Sequence, residues 1–297
     1  MSKTIKYAIA VAILLGLNLA LFLNDSSNDA PKAEKYFLSE DLEGVSRFTF
    51  AIEKDSVVIE RSEQGWILND QYKADEGFIN TLISILEKVE VGRTIDDWNR
   101  EVLGNVEVEF DFNTRYRFQI ATNPTKTKSY FITNDIAKEV AVPGYRDNVI
   151  DIFTLHPDQW RDRTIVDGSW RTIQKIKVEK QNGESFEIAF NDNFFTVNGD
   201  APYDSSAVVD YLNQFQQFQA NEMISKRRFP DLDSLSDSEP LARVLIDDLK
   251  DENPTLLQID PDDEKRGYHL VIDHTGQQMV IDGRRVQQIL SNPDGLN

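Results

Sequence analysis

The sequence predicts an α+β protein: two tandem copies of one antiparallel unit, about βββα-ββββ-α each, behind a single N-terminal transmembrane helix. Three observations predict it. A helical run opened by Asp75, with apolar residues at Phe78, Ile79, Leu82, Ile83, Leu86 and Val89, recurs 129 positions later as Asp204 followed by Ala207, Val208, Tyr211, Leu212, Phe215 and Phe218. Segments that alternate apolar and polar residues flank both runs, which is the period of a half-buried strand. An uncharged apolar stretch precedes everything else.

That stretch, Tyr7 to Leu23, is 17 residues long, about 25 Å as a helix at 1.5 Å per residue. Lys3 and Lys6 can snorkel to make up the difference from a hydrocarbon core of about 30 Å. Lysines before it and Asp25 and Asp29 after it place the N-terminus in the cytoplasm and the bulk of the chain outside, in the periplasm, by the positive-inside bias. Leu21-Phe22-Leu23 offers no small-x-small cleavage site, so residues 1–23 are expected to stay as an inner-membrane anchor. Residues 24–35 are rich in turn formers and poor in apolar side chains, the composition of a linker.

The first copy is assigned to residues 36–163. Its strands are expected at Val45 to Ile52, Ser56 to Arg61 and Gly65 to Leu68, before the helix that Asp75 caps by accepting from first-turn amides. Strands at Val106 to Phe110, Tyr116 to Ile120, Ser129 to Ile132 and Val140 to Val142 follow, then a helix-like run from Asp147 to Leu155. The second copy, residues 164–297, repeats the order: Ile173 to Val178, Ser185 to Phe190, Phe194 to Val197, the Asp204 helix, Ala242 to Ile246, Thr255 to Ile259, Tyr268 to Ile272, Met279 to Ile281 and a closing run from Arg284 to Leu290. A period near 130 residues is too long for a solenoid or propeller repeat. The joint between the copies falls in Trp160 to Gly168.

Composition limits the function. There is no cysteine, which excludes disulfides, thiolate metal sites and lipid anchoring through an N-terminal cysteine. A net charge of −19 disfavours nucleic acid and anionic lipid as partners. The three histidines, His156, His269 and His274, form no metal-ligand spacing; His269 and His274, five apart in a strand, fall on opposite faces. Asp260-Pro-Asp-Asp-Glu264 lacks the calcium-loop spacing and reads as an acidic surface turn. No nucleophile elbow, Walker loop or dinucleotide fingerprint occurs, so no catalytic, cofactor-binding or metal-binding residue is nominated. One local feature stands out for binding. Trp160, Arg161 and Arg163 put an aromatic ring and two bidentate cations at the joint; the simplest reading is structural, with Trp160 a wedge between the copies and the arginines paired to acids of the second, and the alternative makes the three a candidate interface for a partner's carboxylates.

Pro143 to Arg163, Asn193 to Gly199, Tyr211 to Ser225 and Pro240 to Asp248 resemble the domain of unknown function 4340 family, in the version found in gliding and related Bacteroidetes bacteria. The resemblance covers essentially the whole chain and brings no catalytic residues. It implies a context, the neighbourhood of a gliding-motility-type ABC transporter. The expected function is therefore a non-catalytic, membrane-anchored extracytoplasmic binding or assembly protein, an accessory of an ABC-type transport complex whose permease or auxiliary subunits are its partners. Two alternatives stay open: a periplasmic hydrolase of envelope polymers working through paired carboxylates, and a ligand-binding protein using a cleft between the copies.

Overall fold

The computed structural model describes residues 37–38, 42–52, 55–95, 98, 101–111, 114–202, 204–225, 239–263 and 267–293. The expected anchor at Tyr7 to Leu23 and the linker at 24–35 lie outside the described residues. Among the described residues, no helix is long and apolar enough to cross a membrane.

The expected fold class is corrected. Strand accounts for 48% of the structure against 19% helix, so the protein is mainly antiparallel β and not an α+β pair of repeated βββα units. Nineteen strands and three α-helices are described: β1 (Val45–Ile52), β2 (Asp55–Ser62), β3 (Gly65–Leu68), β4 (Tyr72–Lys73), α1 (Glu76–Lys88), β5 (Glu90–Ile95), β6 (Gly104–Phe110), β7 (Arg115–Thr122), β8 (Ser129–Thr133), β9 (Ile136–Ala141), β10 (Thr164–Val166), β11 (Ile173–Lys180), β12 (Ser185–Asn191), β13 (Phe194–Val197), α2 (Ser205–Asn213), β14 (Phe218–Gln219), β15 (Glu222–Ile224), β16 (Ala242–Asp248), β17 (Thr255–Asp263), β18 (Tyr268–Asp273), β19 (Gln278–Asp282) and α3 (Gly283–Leu290). Beyond the expected strands stand β4, β5, β10, β14 and β15; β5 and β15 take matching places at the ends of their sheets, beside β9 and β19, while β4 extends one sheet only and β10 pairs with β14 apart from both. Four of them are only two or three residues long, too short to display a period, and β5 has a mostly exposed, polar pattern. The helix-like run at Asp147 to Leu155 contains only a 3-10 turn, Asp151–Thr154. Phe218, expected on the face of the second helix, lies in β14, because α2 stops at Asn213 and Gln217 takes a positive φ of 48°.

Contacts divide the chain into two compact units: Met1–Val45 with Thr81–Ile152, and Ser46–Asn80 with Phe153–Asn297. The boundary expected at 163/164 falls inside the second of these. In the first unit β5 to β9 run β6-β7-β8-β9-β5 with antiparallel pairing throughout. Its interior holds the ring cluster Phe37, Phe118 and Phe131, with centroids 4.6–5.0 Å apart, in the offset and edge-on geometry that aromatic pairs favour.

The second unit holds the meander β4-β3-β2-β1 and an eight-stranded antiparallel sheet in the order β13-β12-β11-β16-β17-β18-β19-β15. Inward-facing residues alternate cleanly along that sheet: Ile176, Val178, Val244, Ile246, Leu257 and Ile259 are buried together with Val208, Tyr211 and Leu212 of α2 and Val286 and Ile289 of α3. The Tyr211 hydroxyl, inside this core, donates to the Ile289 carbonyl at 2.6 Å, so its one polar group is satisfied. Asn198 and Gly199 close the turn after β13 with φ of 52° and 88°, conformations that asparagine and glycine tolerate best. At the sheet's far end, among the described residues, β15 pairs with β19 alone, and this is where the candidate site is built.

Candidate functional site

The site grows from residues 156–163 of the second unit. Pro157 sits in the first turn of a 3-10 helix, Pro157–Trp160, where a missing N–H costs nothing. His156 caps it. Its Nδ1 accepts from the Asp158 N–H at 3.2 Å, while the Gln159 side-chain oxygen accepts from the His156 N–H at 2.9 Å. This reciprocal capping aims Trp160 inward, and it is fully buried, 5.6 Å from Phe50 and 6.1 Å from Phe78 by ring centroids.

Beyond Trp160 the chain runs beside β4. The Asp75 N–H donates to the Trp160 carbonyl and the Asp162 N–H donates to the Lys73 carbonyl, both at 2.8 Å, and Ala74 bridges Arg161. This backbone pairing fixes the direction of each following side chain. Arg161 turns in and is only 3% exposed, stacked 3.9 Å over the Tyr72 ring. Asp162 meets Lys73 at 3.0 Å. Burial raises the Asp162 carboxyl, but the Thr164 N–H and the Lys73 ammonium together outweigh it and hold it below its ordinary value; the same hydrogen bond raises Lys73.

Arg163 points the other way. It stays partly exposed, its Nη2 3.8 Å from the Asp75 carboxylate, and it borders a cavity of about 480 Å³. The cavity has apolar walls from Phe78, Met223 and Val280, the half-exposed Tyr268 on its rim, and polar groups from Asp158 and Glu222. Its volume lies within the range of ~300–1,000 Å³ typical of small-molecule and cofactor pockets.

Of the three residues expected to form an interface, the structure therefore separates two from the third. Trp160 and Arg161 are interior, and Arg163 alone reaches this concave surface. Sequence reading missed Met223 and Glu222, which sit on a three-residue strand without a pattern, and Tyr268 and Val280, which look like ordinary strand residues. The only local signal is the Pro157 and Gln159 capping arrangement ahead of Trp160.

The other candidate chemistry is placed as follows. His269 is buried and its Nδ1–H donates to the Asp260 carbonyl at 2.8 Å; His274 is exposed. Asp260, expected in an acidic surface turn, is a fully buried residue of β17 with one oxygen accepting from Gln258 at 3.2 Å, and burial pushes its carboxyl up. The side chains of Asp262 to Glu264 lie outside the described residues. Among the described residues, no three His, Asp or Glu side chains converge as a metal site.

Fold and site together define a mainly antiparallel β protein with a concave, mixed apolar and polar pocket at a sheet edge. A family model matches residues 69–240, more than half the chain, and the chain belongs to that family, DUF4340, a domain of unknown function. Neither the curated proteins nor the solved structures contain a match.

Proposed function

We propose that this protein is a non-catalytic, membrane-anchored extracytoplasmic binding and assembly protein, an accessory of an ABC-type transport complex of the gliding-motility kind. The observation that carries the reading is the cavity beside Arg163. Apolar walls with a partly exposed arginine at the edge suit an inserted side chain from a partner subunit, with the guanidinium taking a carboxylate of that partner. The hydrophobic stretch at Tyr7 to Leu23 supports anchoring, and the charge of −19 supports a protein partner over nucleic acid.

Purification of the full-length chain in mild detergent tests this directly. Permease or auxiliary subunits should co-purify with the natural sequence and be lost with Arg163→Glu, whose circular dichroism should match the parent. A clean, partner-free monomer from the natural sequence would overturn the proposal.

The cavity's volume supports a second reading, a ligand-binding protein whose pocket lies inside the second unit. Here a small molecule with an apolar body would raise the melting temperature by mass action, and Met223→Lys would abolish the rise.

A further inference from the structure

Arg161 is a buried cation whose charge is incompletely answered. Its Nη2 donates to the Gln277 side-chain oxygen at 2.8 Å. Its Nη1 reaches the Ile224 carbonyl only at 3.4 Å and Asp158 Oδ1 at 3.5 Å, and Nε has no hydrogen-bond partner among the described residues. Charge-assisted bonds are normally ~2.7–2.9 Å, so Asp158 is a distant counter-ion. It is also shared, because its other oxygen accepts from the Ser225 hydroxyl at 2.7 Å. A cation this deep ordinarily requires a close anionic partner.

A cavity of about 210 Å³ adjoins Arg161. Gln71, Tyr72, Ser225, Thr275, Gln277 and Gln278 contribute to its wall, and among the described residues Arg161 is the one charged side chain that lines it. Its volume gives room for several waters or a small organic acid. A second cavity touching Arg161, of about 180 Å³, is lined by Lys73 together with Asp162 and Asp273, so carboxylates of the chain already balance its cations and it offers an anion less than the first. The stack on Tyr72 and the bond to Gln277 set the plane of the guanidinium before any ligand arrives, which reduces the entropy lost on binding.

We infer that the cavity walled by Arg161 and its neutral amide and hydroxyl neighbours is a carboxylate-binding site. A carboxylate supplies the close, planar acceptor that Asp158, 3.5 Å away, does not. A phosphate dianion would bring twice the negative charge beside Asp158, so the planar monoanion is the better match to the arginine fork. The carboxylate belongs either to a free small acid or to the C-terminus of a partner chain. The site is separate from the Arg163 cavity and does not depend on the function proposed there.

Thermal unfolding of the full-length protein in detergent, at fixed pH and ionic strength, tests it. N-acetylglycine should raise the melting temperature in a concentration-dependent way, and N-acetylglycinamide, which lacks only the charge, should not. A larger rise with an acetylated tripeptide bearing a free C-terminus points to a chain terminus as the ligand; a smaller one points to a free acid. Gln277→Glu should supply the missing carboxylate within the chain, raising the melting temperature without ligand and removing the response. Gln278→Glu places a negative charge in the wall and should weaken binding by at least about tenfold through like-charge repulsion. An equal rise with the amide, or an undiminished response in Gln277→Glu, overturns the inference.

Discussion

The starts of α1 and α2 carry the same aspartate cap in different company. Asp75 Oδ1 accepts from the Gly77 and Phe78 N–H groups at 2.9 and 3.2 Å, and Asp204 Oδ1 accepts from those of Ser206 and Ala207 at 2.8 and 3.2 Å. The cap itself is thus duplicated almost atom for atom. At Asp75, however, the backbone N–H also donates to the Trp160 carbonyl, and the second carboxylate oxygen faces Arg163. At Asp204 the third bond is local, from the hydroxyl of Ser206 at 2.5 Å. The same cap thus starts both helices, and a cavity lies at the one that residues 160–163 pack against.

The strongest way to break this contrast is to remove the residue that seats those residues. Trp160→Ala should destabilise the protein by about 3–5 kcal/mol, the usual cost of deleting a buried aromatic side chain and leaving a cavity. Urea denaturation gives the total. Hydrogen exchange tests the location: the amides of Ala74 and Asp75 should lose protection before those of Val208 and Leu212. Equal loss at both helix starts would show that Trp160 supports the core generally and not the first start in particular.

A smaller effect separates cap from ion pair. Asp75→Ala should cost about 0.5–2 kcal/mol from the cap alone, with at most about 1 kcal/mol more from the partly exposed pair with Arg163. Asp75→Asn retains a capping acceptor and removes the charge, so it should recover most of the loss while still loosening Arg163. A double-mutant cycle with Arg163→Ala measures the coupling. Asp204→Ala should destabilise α2 and leave any binding at the Arg163 cavity unchanged; a loss of binding there would erase the distinction between the two starts.

Much of this was legible in the sequence. β1, β3 and β13 begin and end where the alternation does, and both capping aspartates are identifiable from their place ahead of an apolar period. The class and the site were not, for related physical reasons. The strands that turn an apparent βββα repeat into a mainly β protein are short, and their existence is decided by pairing with distant neighbours rather than by local pattern. Arg161 and Arg163 are two positions apart and chemically alike, yet only pairing beside β4 decides that one is buried and the other borders a cavity. Asp248 makes the same point. It lies in an acidic stretch of sequence but is 2% exposed at the end of β16, where the Thr172 hydroxyl, just ahead of β11, donates to it at 2.7 Å.

Acid provides the finest test of the two starts. The Ser206 hydroxyl and the N–H groups of Ala207 and Ser206 hold the Asp204 carboxyl below its ordinary value. A carboxyl lowered by folding contributes stability that is present above its unfolded value of about 3.9 and is lost as pH falls through the folded value. Acidification below about pH 4 should therefore loosen the first turn of α2, read as faster exchange or shifted amide resonances at Ser206 and Ala207. Asp204→Asn, which caps without titrating, should remove that pH dependence. A global melting curve cannot replace this local reading, because Asp260 works in the opposite direction: burial raises its carboxyl, so its contribution grows as pH falls through the folded value towards the unfolded one. If Ser206 and Ala207 respond to acid identically in Asp204→Asn and the parent, the cap does not titrate as its hydrogen bonds require.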